Sequence, residues 1–371
     1  MSYDSRVALV KEIGRLRGSR VICYLTTLRP NLPGQMSEDA VRHIFDHLLL
    51  LGRRPIPKLD IFLVSNGGSG TVPWRLVSLF REFASELGVL IPYRAYSAAS
   101  LLALGADEIV MHPFAELGPI DPTVSNEFNP VDQATRQRIG ISVEDVRAYV
   151  NFVKETVGIT HEDELVKALE ALAEKVHPLA LGNVERFITQ SRMIARKILK
   201  THMKSEDEHV IDEIVENMAS KLYFHGHPIN RHEAKKDLKL KINLDLVPEL
   251  ESAMWNLYKD FESEFQNQSI FSPQGDLATM EGGAAGTPPS PEPSAQPAGP
   301  KELEKTYPEL VHAMIESEGL SCRFTTTRRY RLSRMVTPQG IQALIQEDIL
   351  AQGWSCSPAP TAQLKPQSQS S

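Results

Sequence analysis

Between Ser19 and His112 the chain alternates short β-type runs with helical patterns, and this alternation limits its fold more than any other feature. "RVICYLTTL", "KLDIFLVSNGG", "GVLIPYRAYS" and "DEIVMHP" read as strands. "SEDAVRHIFDHLLLLG", "TVPWRLVSLFREFASELG" and "AASLLALGA" space their apolar residues near 3.6 and read as helices. Strands separated by helices pair in parallel through right-handed crossovers, so an α/β fold around a parallel sheet is expected. From Ser142 to about Phe265 the pattern becomes mostly helical, each helix with its own apolar stripe to pack on the sheet or on a neighbouring subunit.

Near Gln266 the composition changes. "SPQGDLATMEGGAAGTPPSPEPSAQPAGP" is rich in Pro, Gly, Ala and Ser and offers little to bury. The expected layout is therefore a domain over 1–265, a disordered linker over 266–303, a small C-terminal appendage over 304–356 and a disordered tail over 357–371. Within the appendage "KTYPELVHAMIESEGL" reads as a helix and "CRFTTTRRYRLSRMV" as an extended, Arg-rich piece.

Composition excludes several classes. A chain of 371 residues with 42% hydrophobic content buries a sizeable core, and a formal charge of -7 gives no reason to expect nucleic acid. Arg323, Arg328, Arg329, Arg331 and Arg334 could still meet nucleic acid, and a solvated strand face flanking Phe324 and Tyr330 explains them as well. The three cysteines, Cys23, Cys322 and Cys356, are far apart and form no CxxC pair. That usage argues against a disulfide scaffold and a zinc ribbon, and suits a reducing compartment. No window reaches the roughly 18 uninterrupted apolar residues of a spanning helix, and the N-terminus lacks the apolar stretch of a secretion signal. A soluble cytoplasmic protein is expected.

Two features stand at the C-terminal ends of predicted strands, where open α/β sheets place their sites. Gly67 and Gly68 follow an apolar strand, as in a tight βα turn, and could leave amides bare for an oxyanion. Ser97 stands at a strand-to-helix junction and Ser100 about one turn further on. A nucleophile gains from the unpaired N–H groups of a helix start, although an ordinary N-cap serine occupies the same place. Ser100 reads as a small packing residue.

The ordered pattern "SNGGSG", then "YSAASLLALGADEIVMHPFAELGPIDPT", then "KLYFHGHPINRHEAKKDLKL" resembles the serine dehydrogenase proteinase family. That family is similar to the cytosolic relatives of signal peptide peptidase A and belongs with the Clp and crotonase fold. The likeness runs over about Ser19 to Val247 and continues faintly into "CRFTTTRRYRLSRMVTPQG". It implies a Clp/crotonase-like repeated ββα core with a helical C-terminal half. It further implies an ATP-independent serine peptidase with Ser97 as nucleophile, an oxyanion hole from Gly67, Gly68 and the Ala98 amide, and no cofactor. The substrate would be a peptide or unfolded protein paired beside the strand at Leu117, Gly118 and Ile120, and the assembly a homo-oligomer. Where relatives carry two glycines after the serine, this chain has Ala98 and Ala99. Alanine still supplies its N–H but alters how closely a peptide backbone approaches.

Clp proteases activate their serine with a His and an Asp, signal peptide peptidase A with a lysine. His112 does not fall at the Clp histidine's position and reads as a strand-end residue, so the resemblance favours a lysine. None occurs between Pro113 and Phe152. Lys154 is the best candidate, at the edge of a stripe of Val143, Val146, Val150 and Val153, although a snorkelling surface lysine fits the same pattern. His225, His227 and His232 lack a recognised ligand spacing, so no metal is expected, and Asp121 reads as a turn or substrate-strand residue. A crotonase-type acyl-CoA enzyme and a non-catalytic scaffold are the rival classes.

Overall fold

The computed structural model describes residues 3–52, 54–120, 123–124, 127–132, 138–221, 227–284, 303–337 and 340–358. Helix α1 (Tyr3–Arg17) leads into β1 (Arg20–Thr26), α2 (Asp39–Leu50), β2 (Ile56–Val64), α3 (Val72–Phe83) and β3 (Ala84–Ile91). Next come β4 (Arg94–Ala95), α4 (Ala98–Ala103), β5 (Glu108–Met111), β6 (Glu116–Leu117), β7 (Thr123–Val124) and β8 (Ile141–Ser142). Helix α5 (Val143–Asn151) runs into a π turn at Phe152–Thr156, followed by α6 (Glu162–Ala173), α7 (Pro178–Leu199) and α8 (Glu208–Glu216). The chain continues through β9 (Ile229–Asn230), α9 (Arg231–Lys236), β10 (Ile242–Asn243), α10 (Pro248–Phe265), α11 (Pro273–Ala284), β11 (Leu303–Glu316), β12 (Leu320–Thr337) and β13 (Gly340–Pro358).

Eight strands form one sheet in the order β10-β5-β3-β2-β1-β11-β12-β13. The five from β10 to β1 are parallel; the alternating pattern predicts β1, β2, β3 and β5, whereas β10 comes from the stretch read as helical, and the last three strands are antiparallel. Their pleat sorts β2 into two cores: Leu59, Ile61 and Leu63 face one, Phe62 and Val64 the other. On the first face the strands meet α2, α3, α4, α7 and α8, through residues such as Ile44, Phe80, Leu102, Ile198 and Ile214. On the second they meet α1 and α10, through Val10, Ile13, Leu257 and Phe261. Both faces being covered explains why these strands read as continuous apolar runs. A charged cluster is sealed into the second layer: Arg6, fully buried, donates from Nη1 to Asp260 at 2.8 Å and from Nε to Glu316 at 2.7 Å, tying α1 to α10 and β11.

Several expectations need correction. The helix read through Gly88 stops at Phe83, because Ala84 to Leu90 pair in register with Ile56 to Phe62. The segment read as a C-terminal helix is β11, held between β1 and β12. The expected appendage is thus an extension of the main sheet, and β13 runs on through Ser357 and Pro358. Part of the expected linker is ordered as α11, where Phe271 and Leu277 pack with Leu32, Leu310 and Tyr330; residues 285–302 and 359–371 lie outside the described residues. Cys322 and Cys356 face each other across β12 and β13 and are joined as a disulfide, against the expectation from cysteine usage. Cys23 is free and buried.

Candidate active site

The site is assembled where β2 and β4 end side by side. Beyond Val64, Ser65 bridges Ala95 in parallel: its N–H donates to Arg94 O at 3.0 Å, and its carbonyl accepts from Tyr96 N at 2.9 Å. The chain then turns at Gly67 and Gly68, with φ of 97° and 153°. Glycine is required at both. A Cβ on Gly67 would stand 2.7 Å from Tyr96 O and 2.8 Å from Ser97 Cβ, and one on Gly68 would stand 2.3 Å from Met36 O. The turn is pinned from the other side by Met36, whose N–H donates to Gly67 O and whose carbonyl accepts from Ser69 N, both at 2.8 Å. The Gly67 amide donates to Ser65 Oγ at 3.0 Å, and Thr26 Oγ1 donates to that same oxygen at 2.8 Å.

Ser97 stands between β4 and α4, one residue after the strand ends and immediately before the helix. Its backbone sits at φ 53°, ψ -115°, a conformation a non-glycine residue adopts at a cost of about 1–3 kcal/mol. An N-cap serine takes an extended backbone and accepts from the helix amides. Ser97 does neither, since its side chain makes no cap bond. A serine on a strained strand-to-helix turn is the geometry that lifts a nucleophilic hydroxyl clear of its own helix. The strain is held by Ser97 N donating to Pro119 O at 3.2 Å and Leu101 N donating to Ser97 O at 3.0 Å.

Two amides, Gly68 N–H in the turn whose Gly67 packs on Ser97 and Ala98 N–H just after the serine, have no backbone acceptor among the described residues. An oxyanion formed at Ser97 would need two such donors. The Gly67 amide, expected to share that role, is instead committed to Ser65. Ser100 is buried and structural: its Oγ donates toward Ala95 O and Gly118 O, each at 2.7 Å, and lies 3.3 Å from the Gly118 amide, fastening α4 to the ends of β4 and β6. Tyr96 offers no base. Burial, and then its 2.8 Å hydrogen bond to Glu116, raise its phenol well above the ordinary range.

The remaining predicted residues are not gathered here. Lys154 lies exposed on the π turn after α5, at the rim of an apolar groove lined by Val150, Val153, Leu165 and Leu169. Among the described residues no hydrogen bond joins it to Ser97. Leu117, Gly118 and Ile120 do not offer a free strand edge. They are buried, β6 is paired on both sides by β4 and β9, and the amides of Gly118 and Ile120 donate to Ala95 O and Met218 O. His112 stacks on Trp255 at 5.2 Å and accepts from Phe114 N, on the α10 side of the sheet. His227 Nε2 contacts Glu233 at 2.8 Å; His225 and Asp121 lie outside the described residues. Of the arginines in β12, Arg328 pairs with Glu347, and Arg329 and Arg331 with Asp348. Thr26, Ser65 and Met36, which hold the glycine turn, were missed; only the hydroxyl ending each of two adjacent apolar strands hinted at the first two.

Two uncharacterized proteins of Methanocaldococcus jannaschii are similar in sequence. MJ1495 is 26% identical over 186 residues, covering 44% of this chain and 62% of its own length. MJ0137 is 24% identical over 262 residues, covering 69% and 79%. Among solved structures, an alanine variant of the 1510-N membrane-bound stomatin-specific protease aligns with a TM-score of 0.34 at 13% identity, over 63% of this chain and 85% of that one. Another alanine variant of that protease, in complex with a substrate peptide, gives a TM-score of 0.35 at 14% identity, over 62% and 78%. Residues 53–145, which carry Gly67, Gly68, Ser97 and Ala98, match the family of ClpP-like SDH-type serine proteinases, the family that the sequence resembles.

Proposed function

We propose that the protein is an ATP-independent serine peptidase of the signal peptide peptidase A-like type. Ser97 Oγ attacks the scissile carbonyl, the amides of Gly68 and Ala98 take the resulting oxyanion, and a lysine amine accepts the serine proton and returns it to the leaving amine. Water then releases the acyl group by the same route. The observation that carries this reading is the strained backbone of Ser97, which forgoes helix capping, together with two nearby amides that have no backbone partner among the described residues. The family match over residues 53–145 supports the serine-peptidase class.

In this reading the base is Lys154. Among the described residues no hydrogen bond joins it to Ser97, so in this reading the pair forms when substrate or a second copy brings the α5–α6 segment over the site. The exposed apolar side chains of Phe152, Val157, Val166 and Leu169, each more than half exposed, support a homo-oligomer that covers this segment. The substrate is an extended peptide or unfolded chain. Its docking edge moves from Leu117–Ile120, whose backbone is engaged, to the exposed stretch at Gly68 and Gly70. Among the described residues no helix is long and apolar enough to cross a membrane.

A fluorophosphonate probe tests the nucleophile. Wild-type protein and Ser100→Ala should label, the latter with stability lowered by about 1–3 kcal/mol for the lost buried hydroxyl. Ser97→Ala should not label, and persistent labelling of that variant contradicts the assignment. A non-catalytic scaffold is the second reading, favoured because among the described residues no hydrogen bond joins Ser97 to a base; a wild-type protein that takes no label supports it.

A further inference from the structure

The C-terminal hairpin brings together three ligand-type side chains that play no part in the site above. Cys322 of β12 and Cys356 of β13 are register partners, and His43 reaches them from α2, which packs on the face of the sheet to which Cys322 belongs. The Nδ1 of His43 lies 3.4 Å from Cys356 Sγ, and the three donor atoms all fall within 4.8 Å of one another. Around tetrahedral zinc, bonds of about 2.3 Å to sulfur and about 2.0 Å to nitrogen put S and N roughly 3.5 Å apart and two sulfurs roughly 3.8 Å apart. The His43–Cys356 separation already matches the first of these.

The imidazole is also oriented. Trp354 stacks on it with ring centroids 4.7 Å apart, while its Nε1 donates to Asp39, one turn before His43 on α2, at 2.8 Å. Fixing a ligand ring through neighbours that do not themselves bind is characteristic of metal sites. Cys322 is fully buried and Cys356 exposed, so the cluster opens to solvent on one side, where a cation enters and takes its fourth ligand from water.

We infer that the reduced chain holds one thiolate-preferring divalent cation of the zinc class between His43, Cys322 and Cys356. The disulfide and the cation are alternatives. A dithiol reductant supplies two electrons and two protons, becoming a disulfide itself, and opens Cys322–Cys356 to two thiols. Cation binding then releases both thiol protons as two metal–sulfur bonds form, and His43 contributes a neutral ring nitrogen. Either bond joins β13 to β12, and the cation adds a coordinate bond from α2 beside the Trp354–Asp39 hydrogen bond.

The full-length protein, reduced with a phosphine, stripped of metal and titrated anaerobically with Co²⁺, provides the test. The expected result is one equivalent bound, with a thiolate-to-cobalt charge-transfer band that Zn²⁺ bleaches. The oxidised protein should show no band, Cys356→Ser should lose it, and His43→Ala should weaken binding by more than about tenfold. Cys356 is exposed, so its replacement is expected to leave the fold intact, which circular dichroism checks; Cys23→Ser should keep the band. A reduced protein without a charge-transfer band overturns the proposal and leaves a sulfur–imidazole contact only. A band that survives in Cys356→Ser overturns it as well.

Discussion

Replacing Gly67 by alanine should disable the site from outside its chemistry. The residue stands at φ 97°, and its missing Cβ would meet Tyr96 O at 2.7 Å, Ser97 Cβ at 2.8 Å and Ala98 N at 3.0 Å. Ordinary contact begins at 3.4 Å, so the turn and the serine must separate by about 0.7 Å. None of these atoms is the end of a flexible side chain, and the backbone has to give. Overpacking of this kind costs about 1–3 kcal/mol, and alanine at positive φ about 1–2 more, so a loss of about 2–5 kcal/mol is expected in urea unfolding. The same shift carries Ser97 away from the Gly68 amide, and a misplacement near 1 Å costs about 100-fold in rate. Fluorophosphonate inactivation, followed as a second-order rate constant, measures that loss. Gly70, beside which a Cβ would meet nothing within 4 Å, is the control, and Gly70→Ala should stay within about 0.5 kcal/mol of wild type. A Gly67→Ala protein of wild-type stability and reactivity would refute the close packing of turn and serine.

Further outcomes follow from the same structure. Arg6→Met strands Asp260 and Glu316 without their buried partner and should destabilise by about 3–5 kcal/mol in urea; a change below about 1 kcal/mol would mean that the cluster is solvated. Burial, helped by nearby His43, lowers His47 from 6.5 to about 3. The folded state therefore keeps this ring neutral while the unfolded state protonates it. Its contribution is complete above about pH 6.5 and is lost toward pH 3 by up to about 1.4 kcal/mol per pH unit, a slope that His47→Gln should flatten. Lys154→Met should lower peptide turnover at least about 100-fold with thermal stability unchanged, since the side chain is exposed; unaltered turnover removes it as the base.

The parallel half of the fold was legible because each of its strands is buried on both faces and each helix on one, so local pattern and tertiary role agree. Where they disagree the sequence misleads. The stretch after Phe83 continues a helical apolar spacing, yet Ala84 and Glu86 find partners in Ile56 and Lys58, and the ladder wins. β11 is composed of helix-favouring residues, but it lies beside β1, nearly three hundred residues earlier in the chain, a pairing that no local window contains. The Cys322–Cys356 bond was hidden for the same reason, since only strand register puts the two sulfurs opposite each other. At the site, Ser97 and the glycine pair were visible as types at a strand end. The strain on Ser97, the engagement of the Gly67 amide by Ser65 and the closure of the Leu117 edge are properties of hydrogen bonding that spacing does not encode. The base stayed obscure because a lysine at the rim of an amphipathic helix reads alike whether or not it acts.

The most direct measurement is a crystal structure of the protein treated with a peptide aldehyde, which forms a tetrahedral adduct with a nucleophilic serine. The hemiacetal should be bonded to Ser97 Oγ, with its oxygen about 2.7–3.1 Å from both Gly68 N and Ala98 N. An adduct on another residue, or an oxygen at Ser97 that turns away from those two amides, would contradict the assignment of this turn as the catalytic centre.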